Sequence, residues 1–156
     1  MQKHLRGRDR LRELSRIIGT WRVSGEARGI ATYEWFDQRY SIIQRVNLGE
    51  TRGIEFIRYD DQTKALQSHY FDRSGSQVLT YRYSIKGDEF RIELDMPDRQ
   101  GAFVATFSER DRVLDGRWDW VQDGKRMGYA ATLTRVTRSR TNSKAKRSKA
   151  RRGRKS

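Results

Sequence analysis

Apolar and polar residues alternate with a period of two along most of the chain between residues 19 and 136. The clearest example is residues 89–95, where Phe90, Ile92 and Leu94 alternate with charged side chains. Such alternation is typical of β-strands that have one dry and one wet face. It predicts ten candidate strands, at residues 20–26, 30–36, 40–48, 53–59, 65–71, 78–85, 89–95, 102–108, 113–121 and 127–136.

Short links separate these candidate strands. They are rich in turn-forming residues, as in Lys86-Gly87-Asp88 and Asp123-Gly124, and none is long enough for a crossover helix. Consecutive strands must therefore pair in antiparallel fashion. Because an open sheet would expose two unpaired edges, we predict an all-β fold: a closed up-and-down β-barrel of about 8–10 antiparallel strands within residues 19–136.

Residues 1–18 follow a different period. Leu11, Leu14, Ile17 and Ile18 recur at helical spacing, Asp9 is a candidate N-cap, and a glycine follows at position 19. This pattern predicts one short helix from residue 9 to residue 18. Its apolar stripe needs a surface to cover, and the open end of the barrel is the nearest one.

The formal net charge of +14 is concentrated at the two ends of the chain. Residues 1–18 carry a net charge of +4, whereas residues 19–136 hold equal numbers of basic and acidic side chains. Residues 137–156 contain ten Lys and Arg residues and no acidic residue. Since this tail has no aromatic and almost no apolar side chain, it cannot offset the entropy cost of ordering, and we expect it to be disordered when free.

The tail offers a set of candidate polyanion contacts. One interpretation is sequence-independent binding to nucleic-acid phosphates, with a strong dependence on salt. An anionic membrane surface is a second candidate partner, and a solvated tail that only aids solubility is a third interpretation. The residues concerned are Arg138, Arg140, Lys144, Lys146, Arg147, Lys149, Arg151, Arg152, Arg154 and Lys155.

Several classes of chemistry have no support in the sequence. Cysteine is absent, which excludes disulfides, thiolate metal sites and thiol nucleophiles. No apolar run approaches the length of a membrane span and no secretory signal precedes the barrel, so we expect a cytoplasmic protein of bacterial type. No catalytic motif or metal-ligand spacing occurs, and we predict neither a metal ion nor a cofactor.

A short motif at the start of the barrel resembles a known superfamily. Gly19-x-Trp21 after a short helix, with Arg135 in the last strand able to lie over Trp21, is similar to the calycins, which include lipocalin-like and fatty-acid-binding-protein-like barrels. The resemblance spans about residues 11–136 and implies a ligand-holding barrel with no particular ligand. The segments that resemble an uncharacterised bacterial calycin-like group are Gly19-Thr20-Trp21, Tyr33-Glu34-Trp35, Gly53-Ile54-Glu55, Tyr59-Asp60 and Gly116-Arg117-Trp118.

Nitrobindin-like haem barrels belong to the same broad group. They resemble this chain at Gly19-x-Trp21 and Gly25, but Val23 stands where they have an intervening glycine. Their haem-ligating histidine near the C-terminus has no counterpart, since the only histidines here are His4 and His69. An axial ligand cannot be omitted from a haem site, so haem is not expected.

Polar residues on otherwise apolar strands are candidates for gripping a ligand, because a mostly apolar pocket uses a few fixed polar groups to orient its guest. The candidates are Glu34, Gln44, Glu55, His69 and Arg82, together with an aromatic wall of Trp118, Trp120 and Tyr129. A shift of one residue in register would send each polar side chain to solvent. For the aromatic residues, and equally for Tyr33 and Trp35, the alternative is ordinary core packing.

Three functions follow from these patterns. We predict non-enzymatic binding of a small, partly apolar ligand in the barrel. The first alternative is a nucleic-acid-associated protein that acts through its tail, with the barrel as scaffold. The second is a small hydrolase or isomerase that uses a barrel-interior acid or His69, with Asp72 or Glu55 orienting the imidazole.

Overall fold

Ten strands form one closed antiparallel barrel in the computed structural model, which describes residues 2–137 and, of these, the side chains from residue 7 onward. Each strand pairs with its neighbours in sequence, and β1 pairs with β10 to close the sheet. The strands are β1 Gly19–Gly25, β2 Gly29–Phe36, β3 Ser41–Leu48, β4 Thr51–Asp60, β5 Ala65–Asp72, β6 Val78–Lys86, β7 Glu89–Leu94, β8 Gly101–Ser108, β9 Val113–Gln122 and β10 Lys125–Arg135. The predicted fold class is confirmed, and the barrel is compatible with a calycin-like fold.

The tail predictions fall on residues outside the described part of the chain, which ends at residue 137. The ten candidate polyanion contacts, from Arg138 to Lys155, therefore remain predictions. Among residues 2–137, no helix combines the length and the apolarity that crossing a bilayer requires.

The segment before the barrel differs from the single helix that we predicted. Helix α1 spans Gln2–Leu11, and a 3₁₀ helix then spans Arg12–Ile17, so Asp9 is not an N-cap. The reason lies in the spacing of Leu11, Leu14 and Ile17, which recur every three residues. Leu11 is the N-cap of the 3₁₀ helix, and three residues per turn place its side chain on one line with those of Leu14 and Ile17, whereas an α-helix would rotate them apart.

This segment plugs one end of the barrel. Its three aligned apolar side chains are fully buried, and they pack with the large apolar residues that the strands direct inward near that end. The turns β2–β3, β4–β5, β6–β7 and β8–β9 also lie at this plugged end, because the strands alternate in direction. The packed cluster at this end includes Leu11, Leu14, Ile17, Trp21, Ile42, Ile57, Phe90, Phe107 and Leu114.

Trp21 and Arg135 meet where the first and last strands pair, as the sequence predicted. They are direct cross-strand partners, and the guanidinium carbon of Arg135 lies 4.2 Å from the centre of the indole ring. The Trp21 Nε1–H donates to the carbonyl of Ile17 over 2.8 Å, while Arg135 donates to the carbonyls of Arg16 and Ile18. The pair therefore closes the seam and also fixes the end of the 3₁₀ helix against the barrel.

Arg16 fastens the plug to two turns. Its guanidinium donates to both carboxylate oxygens of Asp111, at 2.6 and 3.1 Å, to Asp88 Oδ1 at 2.9 Å and to the carbonyl of Gly87 at 2.7 Å. It also stacks over the ring of Phe107, 4.1 Å from its centre. The 3₁₀ helix is thus held by both the β6–β7 and the β8–β9 turns.

Candidate functional site

The other half of the barrel is hollow. A cavity of about 940 Å³ extends from the middle of the barrel to the loops at the end opposite the plug. Its walls come from inward-facing side chains of strands all around the barrel, and its mouth from residues 98–101 and 121–123. Because the segment before β1 covers one end of the barrel, the cavity opens toward the other end.

One wall of the cavity carries a row of polar side chains. Tyr33, Gln44, Glu55 and Tyr70 lie on β2, β3, β4 and β5, and the register makes each the cross-strand partner of the next. Cross-strand partners project from the same face of a sheet, so all four point into the barrel and line the cavity. We call these four residues the polar row.

Glu55 is the ionisable group at the centre of this row, and its side chain is 3% exposed. Its Oε1 accepts a hydrogen bond from the hydroxyl of Ser68, and its Oε2 accepts one of 2.9 Å from the hydroxyl of Tyr83. Burial raises the pKa of Glu55 to about 7, although the hydrogen bonds from Ser68 and Tyr83 lower it in part. The carboxyl group therefore changes charge near neutral pH.

The tyrosines around Glu55 stay protonated. Burial raises the pKa of Tyr33, Tyr81 and Tyr83, and the negative charge of Glu55 adds to the effect. Burial likewise raises the pKa of Tyr70 to about 12, with contributions from the carboxylates of Asp72 and Glu55. These phenols are therefore neutral hydrogen-bonding groups over the physiological pH range.

Gln44 brings an unsatisfied acceptor to the row. Its side chain is 8% exposed and lines the cavity, and its Oε1 has no hydrogen-bond partner among the described residues. A buried carbonyl oxygen without a partner is costly, and a ligand or a water molecule in the cavity would satisfy it.

The opposite wall is aromatic and apolar. Ile92, Phe103, Trp118 and Tyr129 follow one another in register across β7–β10 and face the cavity. Ring centres of Phe103 and Trp118 lie 5.4 Å apart, and Trp118 meets Tyr81 edge-on at 6.0 Å. Because Trp118 is only partly buried while lining open space, part of its surface is free to contact a guest.

Charged residues at the mouth are mostly acidic. Asp72, Asp98 and Asp123 line the cavity there, and Arg99 is the basic residue among the lining side chains. Arg99 already pairs with Asp98 at 3.7 Å and donates to Gln77 Oε1 at 2.7 Å. Together with Glu55, the lining contains four acids and one base, although acids and bases are equal in number over residues 19–136 as a whole.

Five of the eight residues predicted to bind a ligand line this cavity. They are Gln44, Glu55, Trp118, Trp120 and Tyr129. The structure thus brings them to one site, and their role in binding remains a prediction.

The other three, Glu34, His69 and Arg82, lie outside the cavity, which corrects our placement of them. The side chain of each points to the outer face of the barrel, and the residues before and after it in the strand point inward. Glu34 accepts a hydrogen bond of 2.8 Å from Arg45, and Arg82 pairs with Asp95 at 3.2 Å.

His69 also cannot serve the enzyme alternative, because its side chain lies outside the cavity. His69 pairs in register with Phe56 on the outer face of the sheet, whereas Glu55 and Asp72 have the inward parity. Neither carboxylate can therefore orient the imidazole as we proposed from the sequence. The interior acid that remains available is Glu55.

The sequence analysis missed Ser68, Tyr70, Tyr81 and Tyr83, which surround Glu55. A signal for two of them was present, because Leu79, Tyr81, Tyr83 and Ile85 alternate cleanly in β6 and so share the inward face. The same alternation assigns the intervening arginine to solvent. The signal was weaker in β5, where Phe71 is exposed and both parities contain aromatic side chains.

The arrangement can hold a guest between a hydrogen-bonding wall and an aromatic wall. No known family model matches the chain, and no curated protein is significantly similar to it. In the described part of the chain, no three His, Asp or Glu side chains are grouped so that they could hold a metal ion.

Proposed function

We propose that the barrel binds a small, partly apolar molecule and performs no chemistry on it. The observation that carries this proposal is the cavity of about 940 Å³, whose two walls differ in polarity. This volume lies in the range of small-molecule sites, which are mostly apolar with a few polar groups that orient the ligand. A calycin-like ancestry of the chain, expected from its Gly19-x-Trp21 motif, is consistent with such a role.

The polar row and the aromatic residues opposite it would contact different parts of a ligand. Trp118, Trp120 and Tyr129 offer ring faces and edges to the apolar body of a ligand, which gains from leaving water. Gln44 and Glu55 offer acceptors to its polar end. This division gives a bound molecule one preferred orientation in the barrel.

A fluorescent apolar probe tests the proposal directly. N-phenyl-1-naphthylamine is uncharged near pH 7, and its emission should rise on saturable one-to-one binding to the full chain. Val46→Trp places an indole ring inside the cavity and should lower the affinity for the probe, because the ring takes up part of the space that is open to a guest.

The matched control is Val78→Trp, since Val78 is 47% exposed on the outer face of the barrel. It should bind the probe as the unmodified protein does. Thermal unfolding of both variants establishes that they fold. A Val46→Trp protein that folds and binds the probe with unchanged affinity would place the site elsewhere and overturn the proposal.

We propose a second, independent function for the tail, which is sequence-independent binding to nucleic acids. The charge distribution supports it, because ten basic residues follow a barrel of zero net charge. Deleting residues 138–156 should weaken binding to nonspecific DNA, with the greatest loss at low salt. Unchanged binding after the deletion would eliminate this function.

A further inference from the structure

The polar row offers a guest two acceptors, Glu55 and Gln44 Oε1, beside the Tyr70 hydroxyl, whose buried oxygen has no partner in the described part of the chain and can donate or accept. Ser68 and Tyr83 each donate one hydrogen bond to Glu55, one per carboxylate oxygen. An ionised carboxylate can accept about four hydrogen bonds, so both oxygens retain capacity. Beside it, Gln44 Oε1 is buried and has no partner in the described part of the chain. A guest with several N–H donors could satisfy both acceptors at once.

None of the residues that interact with Glu55 carries a positive charge. Those residues are Ser68 and four tyrosines, Tyr33, Tyr70, Tyr81 and Tyr83, from β2, β5 and β6. All are neutral. An ionised Glu55 would therefore be a buried charge without a countercharge, an arrangement that is costly in the empty protein and that a cationic guest would relieve.

The mouth of the cavity has the same sign of charge as its interior. Asp72, Asp98 and Asp123 line it, and the single lining cation, Arg99, is already engaged by Asp98 and Gln77. A concave surface lined by one sign of charge concentrates ions of the opposite sign. This acidic interior stands out in a chain whose net charge is +14.

The wall opposite Glu55 also suits a cation. Phe103, Trp118 and Tyr129 line it, and the faces of such rings attract ammonium groups and pack well against flat apolar bodies. Nothing on this wall would repel a positive charge, because its members are all aromatic or aliphatic.

We propose that the ligand is a small organic cation, an apolar or aromatic body that carries a protonated amine, and that the ammonium group donates to Glu55 and to Gln44 Oε1. This inference rests on the proposed function and specifies its ligand class. A carboxylate-bearing amphiphile is the class it excludes, since its charge would face Glu55 and the acidic mouth.

Three probes with one ring system test the charge preference: 2-naphthylmethylamine, 2-naphthylmethanol and 2-naphthoate. Calorimetric titration of the full chain at pH 8 should give at least about tenfold tighter binding of the amine than of the alcohol, because the ammonium group brings a charge opposite to that of the ionised Glu55 and the alcohol brings none. The carboxylate should bind most weakly.

Glu55→Gln assigns the preference to a residue. The amide keeps the size of the side chain but removes its charge and replaces one acceptor oxygen by a donor, so amine affinity should fall to about that of the alcohol. The quantity to measure is the ratio of the amine affinity to the alcohol affinity, and thermal unfolding shows whether the variant is folded. The matched control, Glu34→Gln, removes an outward carboxylate that is paired with Arg45 and should change neither affinity.

The pH dependence provides an independent readout. Burial raises the pKa of Glu55 to about 7, and the amine remains protonated well above that pH. Amine affinity should therefore rise about tenfold between pH 6 and pH 8 as the carboxyl group ionises, while alcohol affinity stays nearly flat. In Glu55→Gln the rise should disappear.

The outcomes separate this inference from the proposed function. Equal binding of the three probes, tighter binding of the carboxylate, or an amine preference that survives Glu55→Gln would each overturn the cation proposal and leave ligand binding in place. Failure of all three probes, together with failure of N-phenyl-1-naphthylamine, would overturn both.

Discussion

The two ends of the barrel use the same alternating strands for opposite purposes. At the plugged end, inward residues such as Ile42 and Phe90 are fully buried in one cluster with the aligned side chains of the segment before β1. At the other end, inward residues such as Leu79 and Trp120 line the cavity. The strands alternate equally well in both halves, so alternation alone does not decide between a core and a site.

The chain segment before β1 makes the difference. It supplies three buried apolar residues and Arg16, which binds the turns, and it is bound in return by Arg135 of β10 at the seam. No such segment among the described residues covers the mouth. The plugged end therefore contributes most of the packing that stabilises the fold, and the hollow end holds the cavity. Substitutions at the plugged end should change the free energy of unfolding more than those at the hollow end.

The largest effect is expected from leucine truncation at the two ends. Leu14→Ala removes a fully buried side chain from close packing and should cost about 2–5 kcal/mol of unfolding free energy. Leu79→Ala should cost about 1 kcal/mol, because Leu79 borders space that is already open. Urea unfolding measures both. Equal costs would show that the cavity half is as tightly packed as the plug.

Replacement of Arg135 should have the next largest effect. Arg135→Met keeps the apolar stem over Trp21 but leaves the carbonyls of Arg16 and Ile18 without their donor, at a cost of about 3 kcal/mol. Arg82→Met is the control, since it removes an arginine whose side chain is 53% exposed, and it should cost less than about 1 kcal/mol. Comparable losses would mean that the seam is not held by this guanidinium.

Much of the barrel could be predicted from the sequence because its links are short. Links such as Asp123-Gly124 permit only antiparallel neighbours, and the pairing of Trp21 with Arg135 follows once first and last strands meet. The helix at the start was placed wrongly because spacings of three and four residues are both helical. Only the barrel end decides that Leu11, Leu14 and Ile17 must lie on one line.

The site was harder to predict because it depends on strand parity. Of the candidates, Gln44 and Glu55 lie on the inner face, whereas Glu34 lies on the outer face of a strand that has apolar residues at both parities. Ile30 and Phe36 are exposed on the side of Glu34, and Ala31 and Tyr33 are buried on the other. Cross-strand register, which a single sequence does not contain, resolves that ambiguity.

The pH dependence of stability sharpens the comparison at the hollow end. The folded protein holds the proton of Glu55 up to a pKa of about 7, against 4.5 for an unperturbed carboxyl, so stability from this group is full below pH 4.5 and is lost as the pH rises through 7. Glu55→Gln should remove this loss, which amounts to at most about 3 kcal/mol.

The measurement is the difference in unfolding free energy between Glu55→Gln and the unmodified protein, followed from pH 4.5 to pH 8. It should grow in favour of the variant across that interval. Glu34→Gln should show no such trend, because that carboxylate is 58% exposed. A flat difference for Glu55→Gln would indicate that solvent reaches the carboxylate in the empty cavity.

The smallest effect is expected from Asp88, one of the two carboxylates that accept hydrogen bonds from Arg16 at the plugged end. Asp88 is 71% exposed and shares Arg16 with Asp111, which makes two of the hydrogen bonds to the guanidinium. Asp88→Asn should therefore cost no more than about 0.5 kcal/mol, and the cost should vanish in high salt. Asp111→Asn should cost more, because the pKa of Asp111 is lowered chiefly by its hydrogen bond from Arg16. Chemical unfolding at low and high salt distinguishes the two variants, and a larger loss for Asp88→Asn would mean that the plug is held mainly through the β6–β7 turn.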